Sequence, residues 1–189
     1  MISYGWPRVN RAMSRGSFVF SALLVVFAIL AFNSIGDLPD KVAIHFDANS
    51  APDRWVSREQ YDILVLLFLV GLPLILFALM AWVPRLTRGK GFIPNNEYWF
   101  ADERKRQTES FLLQHSSWLG AMTIAVIYGT HVFVMRANEL DPPRLSTDRF
   151  LIMLFVYLCG LAWWTTAFFC DIFRNQQTID KIRCEWPQS

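Results

Sequence analysis

The chain has 189 residues, of which 53% are hydrophobic and 18% charged, with a net charge of +2. That composition is too apolar for an ordinary soluble domain, and the charge is too small to imply nucleic-acid binding; the length suits one domain or a small bundle. The apolar residues stand in blocks. No Asp, Glu, Lys or Arg occurs between Arg15 and Asp37, Asp62 and Arg85, Glu109 and Arg136, or Arg149 and Asp171, giving uncharged runs of 21, 22, 26 and 21 residues. A helix needs about 20 residues to cross the hydrocarbon core. The runs lack the alternation of barrel strands, so the sequence predicts an all-α membrane protein with four transmembrane helices.

The domain is expected to be a single four-helix unit, with spans near 17–34, 61–83, 111–135 and 150–170. An outer cap loop fills 35–60 and a cytoplasmic loop fills 84–110. Arg8, Arg11 and Arg15 precede the first run, as in a signal peptide, but Asn33-Ser34-Ile35-Gly36-Asp37 lacks a clean small-x-small site. The run reads as an uncleaved anchor. Twelve Lys and Arg lie in the two tails and middle loop, against six in the other two loops. The positive-inside rule then puts both termini and the middle loop in the cytoplasm and turns the first loop outward.

In that loop Val42-Ala43-Ile44-His45-Phe46 alternates, predicting an extended segment with Val42, Ile44 and Phe46 against the bundle. Asp47-Ala48-Asn49-Ser50 reads as a turn, with Pro52 fixing the backbone beyond it. Arg54 and Trp55 can reach headgroups or stack on each other. In helix two, Gly71 and Pro73 predict a mid-span kink. Trp82, Tyr98, Trp99 and Phe100 on one side, and Trp55 and Tyr61 on the other, read as interfacial belts. Pro94-Asn95-Asn96 reads as a turn, and a helix starting near Ala101 is expected to run into span three, so that Arg104, Lys105 and Arg106 meet anionic headgroups.

Helix three carries two patterns. Ala121, Ala125 and Gly129 form a small-xxx-small face for a helix partner. Ser117, Ala121, Ile124, Tyr128 and His131 form one stripe, expected to face the bundle interior. His131 near the outer end needs a partner, expected in the outer loop near His45, Phe46 or Asp47. Helix four has Trp163-Trp164-Thr165-Thr166 but no histidine, so no cofactor is implied. Cys159 and Cys170, about 16 Å apart along one helix, cannot bridge. Cys184 is expected to stay reduced in the cytoplasm.

The outer loop gathers the candidate binding residues: His45, Phe46, Asp47, Asn49, Asp53, Arg54 and Trp55, together with His131. Asp47, Asn49 and Asp53 echo the opening of a calcium loop, but Ala51 takes a ligand position, Pro52 replaces the glycine and Arg58 replaces the bidentate Glu. His45, Asp47 and His131 are weak candidates for a transition-metal site. Against these stands a plain cap, with aspartates accepting loop N–H groups. Catalytic signatures are absent from the sequence, which points away from an enzyme.

LPDKVAIHFDANSAPDRWVSR, Leu38 to Arg58, resembles the signature of a bacterial domain of unknown function, family 1648. The same domain forms part of SdpI-like membrane proteins, which protect cells against a secreted toxic peptide and signal its presence. The family's segment reads Leu-Pro, His-Phe, a turn, then Pro-Asp and Trp; here those are Leu38, Pro39, His45, Phe46, Pro52, Asp53 and Trp55. IPNNEYWFADERKRQT and HVFVMRANELDPPRLS are also similar to members built of this domain alone. The pattern departs at Ser50, where the family usually has glycine, which implies a tighter or less left-handed turn. The further spans of SdpI-like proteins have no counterpart. The resemblance implies a non-enzymatic accessory, sensing or immunity-type protein that meets a partner or peptide with its outer loop. The rival expectation is a metal- or proton-handling protein centred on His45, Asp47 and His131.

Overall fold

A computed structural model describes residues 15–90, 93 and 96–185, with 174–185 described by backbone alone. The turn expected at Pro94-Asn95-Asn96, the arginines Arg8 and Arg11, and Cys184 lie wholly or partly outside the described residues. Four helices are long and apolar enough to cross a membrane: Arg15–Ile35, Arg58–Leu86, Lys105–Asn138 and Thr147–Phe173. They agree with the four uncharged runs; the first coincides with its run to within a residue at each end, and the other three extend a few residues past theirs.

Helix α1 is Arg15–Ile35. The loop after it is not purely irregular, and this corrects the all-α expectation. Strand β1, Lys41–Phe46, pairs antiparallel with β2, Pro52–Ser57. The register runs Lys41↔Ser57, Val42↔Val56 and Ala43↔Trp55, then His45↔Arg54 and Phe46↔Pro52, so Ile44 is the extra residue of a bulge. A bulge bends its strand and re-aims a side chain; that of Ile44 turns toward the helices. The turn is built as the aspartate suggested: Asp47 Oδ1 accepts from the Asn49 and Ala51 amides at 2.8 and 2.9 Å.

Ser57 ends β2 and caps the next helix. Its Oγ accepts from the Gln60 amide while Gln60 Oε1 accepts from the Ser57 amide, a reciprocal capping box. Helix α2, Arg58–Val65, passes through a π-helical turn, Leu66–Gly71, into α3, Leu72–Leu86. Pro73 has no N–H to give the preceding turn, and the ladder widens there, with the Leu72 amide reaching Leu67 O. The irregularity expected at Gly71 and Pro73 is thus a wide turn.

A short helix α4, Asn96–Trp99, precedes α5, Lys105–Asn138, and α6 is Thr147–Glu185. Helix α5 starts four residues later than Ala101. It packs along α1 in parallel: Ser17 Oγ meets Ser117 Oγ at 3.0 Å, Phe20 lies on Gly120, Phe27 stacks on Tyr128, and Ser34 meets His131. The expected stripe does face inward, with Ser117, Ala121, Ile124 and His131 all buried. The small-residue face does not act as one surface. Ala121 is buried, Ala125 is exposed, and Gly129 lies under Met153 of α6. The glycine that admits α1 is Gly120, where a Cβ would come within 2.5 Å of the Phe20 ring.

Two aromatic residues are not belt anchors. Tyr61 is buried against His131, and Trp99 is buried with Ile93, Leu112 and Ile172, its carbonyl accepting from Thr108 Oγ1. Trp82 and Trp55 are exposed, as a belt requires.

Candidate functional site

The hairpin is held on the bundle by polar contacts at both of its ends. The Asn138 carboxamide, in the last turn of α5, accepts from the Ala43 amide at 2.8 Å and donates to the Ala43 carbonyl at 2.9 Å. At the tip, the Ser50 carbonyl accepts from the Leu145 amide at 3.3 Å, and Ser50 Oγ meets Thr147 Oγ1 at 2.6 Å. Ser50 has φ +65°, so the turn is left-handed even with serine in it, contrary to the expectation of a less left-handed turn. At the base, Arg58 pairs with Asp40 and donates to the Gly36 carbonyl.

Beneath the hairpin His131 is 4% exposed, with both ring nitrogens engaged. Nε2 lies 2.8 Å from Ser34 Oγ, and Nδ1 lies 2.9 Å from the Tyr61 hydroxyl. Ser34 gives its own proton to the Ala31 carbonyl at 2.8 Å. The serine oxygen therefore accepts from Nε2–H, and Nδ1 accepts from the Tyr61 hydroxyl. This assigns a neutral ring, because a charged one would leave the tyrosine proton facing apolar walls without an acceptor. The partners stand at the two ends of the loop, Ser34 before it and Tyr61 after it. They are not His45, Phe46 or Asp47, as expected from the sequence, because the hairpin stands up from the helices while the loop's roots lie at the histidine's depth.

Tyr61 and His131 form one wall of a cavity of about 340 Å³. Leu64, Val65, Phe68 and Leu69 of α2 and the π turn line it, as do Ile127, Thr130 and Val134 of α5, and the bulged Ile44 reaches it from the hairpin. Thr130 gives its hydroxyl proton to Val126 O, so the lining is apolar apart from the Tyr61 and Thr130 hydroxyl oxygens, each left only to accept.

The other candidates are dispersed over the hairpin. His45 Nδ1 meets Asp53 Oδ1 at 2.6 Å on an exposed face. Asp47 serves the turn, and its bond from the Ala51 amide holds its carboxyl below the usual carboxylate range. Phe46 is half-buried, and Asn49, Arg54 and Trp55 are exposed. Arg54 does not stack on Trp55; the cation–π contact among the described residues is Arg104 over Tyr98. Neither the calcium nor the transition-metal arrangement forms. Asp53 is turned to His45, Asp47 is turned to its own loop, and His131 is enclosed by Ser34 and Tyr61. Among the described residues no three His, Cys, Asp or Glu side chains converge as metal ligands.

Sequence reading missed Ser34, Tyr61 and Asn138 as parts of this site. It also passed over Asp62, one of whose carboxylate oxygens is buried without a hydrogen-bond partner. An acid inside the second span was the signal for it. Away from the hairpin, His115 sits between Phe111, Trp164 and Phe168 with Asp171 at 3.9 Å, joining α5 to α6.

Residues 19–71, which contain most of α1, the whole hairpin and the start of the second span, match the family described as Domain of unknown function (DUF1648). No curated protein and no solved structure matches the chain.

Proposed function

We propose, from a DUF1648 segment built into a four-span membrane bundle, that this chain is a non-enzymatic binding protein of the accessory, sensing or immunity type. In this reading it captures a hydrophobic peptide or partner segment at its hairpin end. The supporting observation is that Ile44 of the hairpin and the Tyr61–His131 pair share one cavity of about 340 Å³. That volume lies in the range of small ligand sites, roughly 300–1,000 Å³, and such sites are mostly apolar with few polar groups. Exposed His45, Asp53, Arg54 and Trp55 offer polar and aromatic contacts above, and the cavity offers an apolar berth below. Because the Tyr61 proton goes to His131, the phenol oxygen is left as an acceptor, which suits an apolar group carrying one donor.

The same reading places the protein in a bacterial inner membrane with both termini cytoplasmic and the hairpin outward, supported by the twelve-to-six distribution of basic residues. The test is photo-crosslinking in native membranes. A photoreactive residue at Leu64 should give a discrete adduct of peptide or protein mass, abolished by Thr130→Trp, which fills the cavity. The same group at Phe155, exposed on α6, should give lipid adducts. Lipid adducts alone at both positions would overturn the reading.

A further inference from the structure

At the end of the bundle opposite the hairpin, the second span ends and the third begins around a recess of about 90 Å³. Its walls are Arg85, Arg88, Phe100, Asp102, Lys105 and Glu109. Three cations face it from two elements: Arg85 in the last turn of α3, Arg88 just beyond that turn, and Lys105 at the start of α5. Two carboxylates, Asp102 and Glu109, share the recess, leaving one cation in excess, and neither forms a direct ion pair with the three. The ion pairs among the described residues join His45 to Asp53, Arg58 to Asp40 and His115 to Asp171, and include none of these five. Arg85 donates from Nη2 to the Glu109 carbonyl at 3.3 Å, while its Nε is buried with no hydrogen-bond partner. An oxyanion seated between Arg85, Arg88 and Lys105 accepts from their accessible N–H groups and balances the charge, and arginine's planar fork suits phosphate.

Size and surroundings narrow the class. The recess has room for one compact anion. Leu86, next to Arg85, is 80% exposed, and Trp82 one turn earlier is 58% exposed. Both belong to the span's last turns, so the recess opens at headgroup level beside an apolar surface. A dissolved ion has no use for that surface; a phospholipid has an acyl chain to lay on it. We infer that the Arg85–Arg88–Lys105 recess is a binding site for a phosphate-bearing anion, the headgroup of an anionic phospholipid. The site is independent of the hairpin cavity and of any ligand there.

The protein is purified in mild detergent with phosphatidylglycerol or phosphatidylcholine, and retained lipid is counted by native mass spectrometry. Phosphatidylglycerol should be retained in preference. Its retention should fall about tenfold in Arg88→Gln/Lys105→Gln, which removes two basic groups close to an anionic surface. Arg104→Gln/Arg106→Gln, neighbouring charges that do not line the recess, should retain it as the unaltered protein does. An equal loss in both variants makes the attraction diffuse and overturns the site, as does equal retention of phosphatidylcholine. Complete displacement by millimolar inorganic phosphate assigns the recess to a soluble ion and overturns the lipid. Unchanged melting temperatures exclude misfolding as the cause of any loss, and Arg88→Lys, which keeps the charge, should restore retention to the Lys105→Gln level in the double variant.

Discussion

The side chain of Asn138 lies against the backbone of Ala43 as if it were the next strand of the sheet, accepting from its N–H and donating to its C=O. Ala43 is fully buried, so no water substitutes for either bond. Asn138→Ala should destabilise the protein by about 2–3 kcal/mol, the cost of leaving buried backbone groups unpaired. Amide exchange at Ala43 should speed up, and protease cleavage should appear between Leu38 and Arg58. A hairpin that stays protected in this variant would show that the tip contacts alone hold it.

The His131 network makes a second prediction. His131→Ala should cost on the order of 1–3 kcal/mol, and Tyr61→Phe about 1 kcal/mol, since the phenylalanine keeps the stacked ring and removes only the donor. The two losses should not add, because both remove the same hydrogen bond. Strict additivity in a double-mutant cycle would mean that Tyr61 and His131 stabilise the bundle separately.

Ser50 combines a left-handed backbone, which costs a non-glycine residue roughly 1–2 kcal/mol, with a hydroxyl bond to Thr147 that offsets roughly 0.5–1.5 kcal/mol. Ser50→Gly should therefore be nearly neutral in unfolding experiments in micelles. Ser50→Ala keeps the strain, loses the bond and should be destabilised by about 1 kcal/mol. Equal stability of the two variants would remove the strain, and an alanine variant as stable as the unaltered protein would remove the role given to the hydroxyl.

Asp47 accepts two loop amides, and the Ala51 bond is the larger cause of its lowered pKa. A depressed carboxyl pKa stabilises the folded turn above the unfolded value and loses that contribution as pH falls through the folded one. Exchange protection of the Ala51 amide should thus be constant near neutrality and decline only below the usual carboxylate range. Asp47→Asn should abolish this acid dependence. A decline already visible near pH 6 would implicate another group.

The orientation is open to a direct check. In a variant without native cysteines, a membrane-impermeant maleimide applied from outside should label a cysteine at Ser50 and spare one at Ser110. Labelling of Ser110 alone would invert the topology and put the hairpin in the cytoplasm.

The spans were legible because a charged side chain is expelled from hydrocarbon whatever its neighbours do, so runs without charge mark helices directly. The extended run Val42 to Phe46 was legible for a similar local reason, the alternation of Val42, Ile44 and Phe46. Its partner was not: Pro52-Asp-Arg-Trp-Val has no apolar side, and it becomes a strand only because β1 is there to pair with it. Tyr61 shows the same limit. At a span's end a tyrosine reads as an interfacial anchor, and only the fold reveals that it points inward to a histidine 70 residues away. Ser34 and Asn138 carry no local signal of any kind, since each acts on a residue more than 90 positions distant.

The parallel pairing of α1 and α5 also bears on how the protein is made. The partners that α1 needs, Ser117 for Ser17 and His131 for Ser34, are 100 and 97 residues further along the chain. At 5–20 residues per second, the ribosome takes roughly 5–20 s to produce them. Through that interval the first helix must wait in lipid with its serine hydroxyls bonded only to its own carbonyls, as Ser34 already is to Ala31. Slowing translation before α5 should lengthen the exposure of α1 to membrane proteases, whereas a slowdown after Asn138 should leave it untouched.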